Sequence, residues 1–335
     1  DHSLTLTATF ARQTNNLIFV TSQGYPPNFG AGGFDAECNR LASAAGINNA
    51  AGNGFVAAVS GAESFWSRIP ANARGWLRMD GLPFGDQRAQ MLIDPPNVYH
   101  PARFDETGRT PPLFVIWTGT GANGDRGANC SNWTSTSAGQ TGLAGHLHDL
   151  RGWSGWNTYT CDTFAELPIH CMGTTKTAPL VLPMFAGKRI WLTNTLYDVG
   201  SSTPDQKCQA ERPAGVSSAR ALVAYAGRSA AEVLEPAAVY VRPDGQLVGT
   251  GAQLVSNDKP GVPWIAANGS RVYDYVWTGQ PENRLPTVAD TCSDWTNPSS
   301  TGMQGQSGYD NMLGFAIVVE PVACNSPGRL YCVEP

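Results

Sequence analysis

Cysteine is the residue that organises this chain. Cys38, Cys130, Cys161 and Cys171 are followed, in the same order and at nearly the same intervals, by Cys208, Cys292, Cys324 and Cys332. The residues around them recur too. Phe19-Val20-Thr21-Ser22 returns as Trp191-Leu192-Thr193-Asn194, and Asp35-Ala36-Glu37-Cys38 as Asp205-Gln206-Lys207-Cys208. Ile116-Trp117-Thr118-Gly119 returns as Val276-Trp277-Thr278-Gly279, and Cys130-Ser131-Asn132-Trp133-Thr134 as Cys292-Ser293-Asp294-Trp295-Thr296. Ordered markers offset by roughly 160–170 residues describe a tandem duplication whose unit is an ordinary domain rather than a solenoid repeat. Whatever the fold is, the chain must reach it twice, each time around four cysteines.

Two domains follow from that pattern, residues 1–176 and 177–335, joined across a short linker at 173–178. Apolar content of 41% is enough for two cores. Charged residues are 15%, with 37 glycines and 24 prolines, which points to turns and long loops rather than helical bundles. A net charge of −5 with no basic stripe argues against nucleic acid as a partner. No apolar run reaches the roughly 18–20 residues of a transmembrane helix, and no signal peptide is recognisable, so Asp1 reads as a mature or trimmed end. An even number of cysteines without a Cys-x-x-Cys pair favours disulfides over structural zinc, and with them an oxidising compartment. Four cysteines per repeat admit three pairings, and spacing leaves all three open.

The local pattern is mixed. Leu4, Leu6, Ala8 and Phe10 alternate with polar residues as in a half-buried strand, and Leu17–Val20 reads as the first strand of the domain proper. A helix is expected from about Gly33 to Ala45, with Phe34, Cys38, Leu41 and Ala45 on one face and Gly46 at its end. Its counterpart starts near Thr203, with Pro204 in the first turn, and ends at Pro213 and Gly215. Further strands are expected at 55–59 and 221–225, at 76–79 and 239–242 before Asp-Gly turns, and at 113–117 and 273–277. Long Gly-, Asn-, Ser- and Thr-rich segments follow the last pair, and such surface loops carry most binding chemistry.

As a set, the Phe-Val-Thr-Ser strand, the Asp-Ala-Glu-Cys38 helix, the Trp117-Thr118-Gly119 strand, the Cys130-Ser131-Asn132-Trp133-Thr134 block and the closing Leu330-Tyr331-Cys332-Val333-Glu334 resemble a bacterial extracellular family of the C-type lectin-like fold. The resemblance covers nearly the whole chain. It implies an α+β fold class, with two C-type lectin-like domains in tandem, each disulfide-bonded with long loops. It also implies the pairings Cys38–Cys171, Cys130–Cys161, Cys208–Cys332 and Cys292–Cys324.

Candidate sites concentrate between Cys130 and Cys161. In sugar-binding members of that fold a Trp-Asn-Asp motif helps hold calcium, whereas here Trp156-Asn157 is followed by Thr158. The second repeat has Gln280-Pro281-Glu282-Asn283 but lacks the other half of that motif. Each repeat carries a different fragment, so no cofactor is expected, calcium being the one candidate. His146, His148 and Asp149 could face a metal together, but a Gly-rich loop is the simpler account. Trp133 and Trp295 occur in both repeats and are expected in the core. Trp153 and Trp156 occur in one repeat only. With Asn132, Asn157 and Tyr159 they form the expected ligand-binding set, since aromatic faces flanked by amides suit sugars. No Gly-x-Ser-x-Gly elbow or local nucleophile–base cluster marks an enzyme. The expectation is a secreted or cell-surface, non-enzymatic binding or adhesion protein with a glycan or surface protein as partner. The alternative is a structural subunit of an envelope layer or filament, self-assembling through its N-terminal strand.

Overall fold

The computed structural model describes residues 14–256, 259–281, 284–309 and 321–335. The alternating segment 3–10 and the 315–319 run of the second repeat lie outside them. The fold is α+β, with short helices and strands joined by long loops. It comprises two compact units. The first draws on Asp1–Ile93, Ala102–His146 and Ser154–Val181, the second on Asp94–Pro101, Leu147–Trp153 and Leu182–Pro335.

In the first unit, strand Asn16–Val20 is central. It pairs antiparallel with His170–Gly173 and parallel with Trp76–Leu77, in a five-stranded sheet completed by Phe55–Ala57 and Pro83–Gly85. Helix Ala31–Ala44 lies on this core through Phe34, Cys38, Leu41 and Ala42. Ala45 is exposed, so Ala42 takes the place the spacing gave to it. Gly30 and Gly46, at φ 85° and 72°, open and close the helix where a side chain would be strained. A second sheet of three strands joins Val115–Trp117, Thr141–His146 and Asn157–Thr160.

The second unit is built around strands Lys188–Leu192 and Arg329–Val333, paired antiparallel, with Val239–Val241, Leu247–Thr250, Tyr275–Trp277 and Gln304–Gln306 extending the sheet. Its helix, Pro204–Ala210, is opened by a reciprocal cap between Thr203 and Gln206 and ends at Ala210, short of Pro213. The excursion Leu147–Trp153 is held here by Asp149, whose carboxylate accepts from the Tyr273 hydroxyl at 2.9 Å and the Arg151 backbone at 2.9 Å. Burial pushes the Asp149 carboxyl above the usual carboxylate range.

All eight cysteines are bridged, as Cys38–Cys171, Cys130–Cys161, Cys208–Cys332 and Cys292–Cys324. The outer bridge of each set ties the helix to the strand near the end of the repeat. The inner bridge holds a feature that composition does not reveal. Cys130, Ser131, Asn132 and Trp133 all have positive φ, between 49° and 64°, and so do Cys292, Ser293, Asp294 and Trp295, between 53° and 68°. Four consecutive L-residues in a left-handed turn cost roughly 1–2 kcal/mol each. The turn is held at both ends. Asn129 caps the first through the Asn132 backbone at 3.0 Å, and Thr291 caps the second through the Asp294 backbone at 3.1 Å. The indole N–H of Trp133 donates to Ser60 O at 2.8 Å, and that of Trp295 to Ala224 O at 2.9 Å. Both rings are buried in the core, as expected. Gly119 and Gly279 are required beside them, because a Cβ at either would lie 2.9 Å from the indole. That contact explains why glycine closes the Trp-Thr-Gly sequence in each repeat.

One strand residue makes the first unit sensitive to acid. His170 is fully buried, with Nε2 at 2.7 Å from Ala102 O, and burial lowers its pKa to about 4. Its unfolded value is near 6.5. The native state thus favours the neutral ring, giving stability that is complete above pH 6.5 and lost as pH falls through about 4. The loss should approach roughly 3 kcal/mol. Urea midpoints for the first unit's transition at pH 7 and pH 4 should therefore converge in His170→Gln; an unchanged acid shift would remove His170 as the cause.

Candidate functional site

The three-stranded sheet of the first unit gathers most of the expected binding residues along its outer strand. Trp156 enters the strand by donating its backbone N–H to Ala144 O at 2.8 Å. Asn157 pairs with Ala144, Thr158 with Leu143, Tyr159 with Gly142 and Thr160 with Thr141. Gly142 has no room for a side chain, because a Cβ there would meet the Cys130 sulfur at 2.8 Å and the Trp117 ring at 2.9 Å. The inner bridge and the strand therefore fix each other's position. The strand leaves Trp156 38% exposed, Asn157, Thr158 and Thr160 exposed, and Tyr159 half-buried.

The aromatic groups form a row. Phe114, 46% exposed, lies 5.0 Å from the His146 ring, which lies 4.8 Å from Trp156. Trp156 is 6.4 Å from Tyr159, which is 5.0 Å from Phe164. Phe164 meets the buried Trp117 at 6.4 Å. These separations lie within the range of favourable ring contacts, so the row runs unbroken from solvent into the core. Exposed Leu113 stands next to Phe114 in sequence, at the outer end. Aromatic groups held by a sheet and open on one side can stack against an apolar face of a ligand, while the flanking hydroxyls and amides accept and donate hydrogen bonds.

Other expected residues lie elsewhere. Trp153 is only 2% exposed and belongs to the second unit, and a ring so enclosed offers no face for stacking. Asn132 is exposed on the left-handed turn beside Gly61. His146 is buried between two aromatic rings, and the Asp149 carboxylate is taken up by Tyr273. Among the described residues, no group of three or more His, Cys, Asp or Glu side chains is gathered as metal ligands. A lectin-type calcium ion does not fit the outer strand either. Asn157 Oδ1 already accepts from the Thr158 backbone at 2.8 Å, and Thr158 brings a hydroxyl where a carboxylate is wanted. Phe114, His146 and Phe164 are members of the row that sequence reasoning did not assign to it. They come from three separate segments, and only strand register brings them together.

No protein-family model matches this chain, and no curated protein matches its sequence.

Proposed function

We propose that the chain is a non-enzymatic, extracellular or cell-surface binding protein made of two C-type lectin-like domains, with its ligand on the outer strand of the first. The observation that carries this is the aromatic row ending in solvent at Trp156 and Phe114. The bridges support the fold assignment, since each set of four cysteines pairs first with last and middle with middle. They also mark an oxidising, non-cytoplasmic compartment. Among the described residues, no helix is long and apolar enough to cross a membrane. Rings, hydroxyls and amides suit contact with a ligand better than bond cleavage.

The test is a glycan array and an immobilised surface-protein array, probed with the full chain and with Trp156→Ala. A stacked ring is worth on the order of 1–3 kcal/mol in the nucleic-acid systems where it is best measured, so the variant should bind about tenfold more weakly. Its melting temperature should change little, because the ring is 38% exposed. Unchanged affinity in a folded variant would remove Trp156 from the site. A large fall in melting temperature with intact affinity would assign the ring to packing.

A further inference from the structure

We propose that the Asn157–Thr160 edge takes up an extended polypeptide segment as an added parallel strand. This rests on the binding role above and narrows its ligand to polypeptide. Register decides which backbone groups are available. On the neighbouring strand, Leu143 turns its N–H to Ala128 O at 2.7 Å and its C=O to the N–H groups of Thr118 and Gly119, both away from the edge. Gly142 and Ala144 therefore face the edge strand and meet Tyr159 and Asn157. The backbone groups of Thr158 and Thr160 consequently point outward.

Two of those four outward groups are engaged locally. The Thr158 N–H donates to Asn157 Oδ1 at 2.8 Å, and Thr160 C=O accepts from the Thr163 N–H at 3.0 Å. Among the described residues, the Thr158 C=O and the Thr160 N–H meet no hydrogen-bond partner, one on each side of Tyr159. An antiparallel partner residue exchanges both bonds with one residue, and here it would find only the C=O at Thr158 and only the N–H at Thr160, half of each pair. A parallel partner residue donates to one residue and accepts from the residue two further on, which is the pair left open here. The edge also lacks the usual defences, since Asn-Thr-Tyr-Thr contains no charge, proline or glycine. The added strand would have one face against the exposed hydroxyls of Thr158 and Thr160 and the other against Tyr159 and Trp156. A segment alternating polar and apolar residues matches both.

The probe is an acetylated, amidated Lys-Thr-Val-Thr-Val-Thr-Lys peptide titrated into the isotope-labelled full chain. A saturable downfield shift of the Thr160 amide is expected, and none from the same peptide N-methylated at its internal residues. Thr160→Pro removes the donor at an edge position where proline is tolerated, and should weaken binding about threefold to tenfold. Asn157→Ala frees the Thr158 N–H and should strengthen it. No saturable shift at Thr160, or an equal shift from the N-methylated peptide, overturns strand addition. If Thr160→Pro fails to fold, the comparison of the two peptides on the wild-type chain decides alone. An array ligand that responds to Trp156→Ala and ignores Thr160→Pro refutes strand addition while the binding role stands; one that ignores both refutes both.

Discussion

Replacing Cys38 and Cys171 together by alanine should destabilise the first unit by about 5 kcal/mol, the chain-entropy estimate for a loop of this length. The bridge closes a separation of 133 residues. Both sulfurs are fully buried, so the smaller side chains leave no new polar surface. The inner pair, Cys130 and Cys161, separated by 31 residues, should cost about 3–4 kcal/mol by the same estimate. Strain acts in the same direction. Freed of its bridge, the left-handed turn can relax, and the energy it releases offsets part of the loss. Urea unfolding of the two double variants under oxidising conditions measures the difference. An inner-pair loss equal to or larger than the outer would show that loop entropy is not what these bridges mainly contribute.

Trp133→Ala should cost about 3–5 kcal/mol, the range for deleting a large buried aromatic. Trp133 has no exposed surface and meets Phe34 edge-on at 5.6 Å and Trp117 at 5.7 Å. Deleting the indole also leaves Ser60 O without its donor. Trp133→Phe should recover part of the packing while keeping the cost of that unpaired carbonyl, about 1–3 kcal/mol. The order of stability is then wild type, Phe, Ala, with Trp156→Ala near wild type. Thermal unfolding of the four proteins tests the order. A Trp133→Ala variant as stable as Trp156→Ala would mean the ring is not the centre of this core.

How much of this was legible beforehand depends on whether the determinant is local. The helix from Ala31 is legible because Phe34, Cys38 and Leu41 repeat at helical spacing, and the second helix because Thr203-Pro204 makes a start signal. The Asp-Gly turns at 80–81 and 244–245 are equally local. Spacing admits three pairings of the cysteines in each repeat, so resemblance alone points to the partners. Positive φ over Cys130–Trp133 carries no composition signal, because glycine, the usual marker, is absent. The site was half legible. Trp156 and Trp153 look alike as sequence, both aromatic and both without a counterpart in the second repeat. Only the placement of Leu147–Trp153 within the second unit buries one and leaves the other exposed. The aromatic row depends on register among three strands, which a linear pattern does not encode.

The left-handed turns have a consequence for chirality. Reflecting a favourable right-handed turn of L-residues gives a left-handed turn of D-residues, so at 130–133 and 292–295 this L-chain follows the path a D-peptide would choose. At Ser131 and Ser293 the side chain, not the backbone path, is the source of the mismatch. Inverting the α-carbon there by chemical synthesis would relieve strain in the native protein, whereas inversion in the helix at 31–44 would introduce it. Stereochemistry therefore offers a way to stabilise these two positions that the genetic code reaches only through glycine.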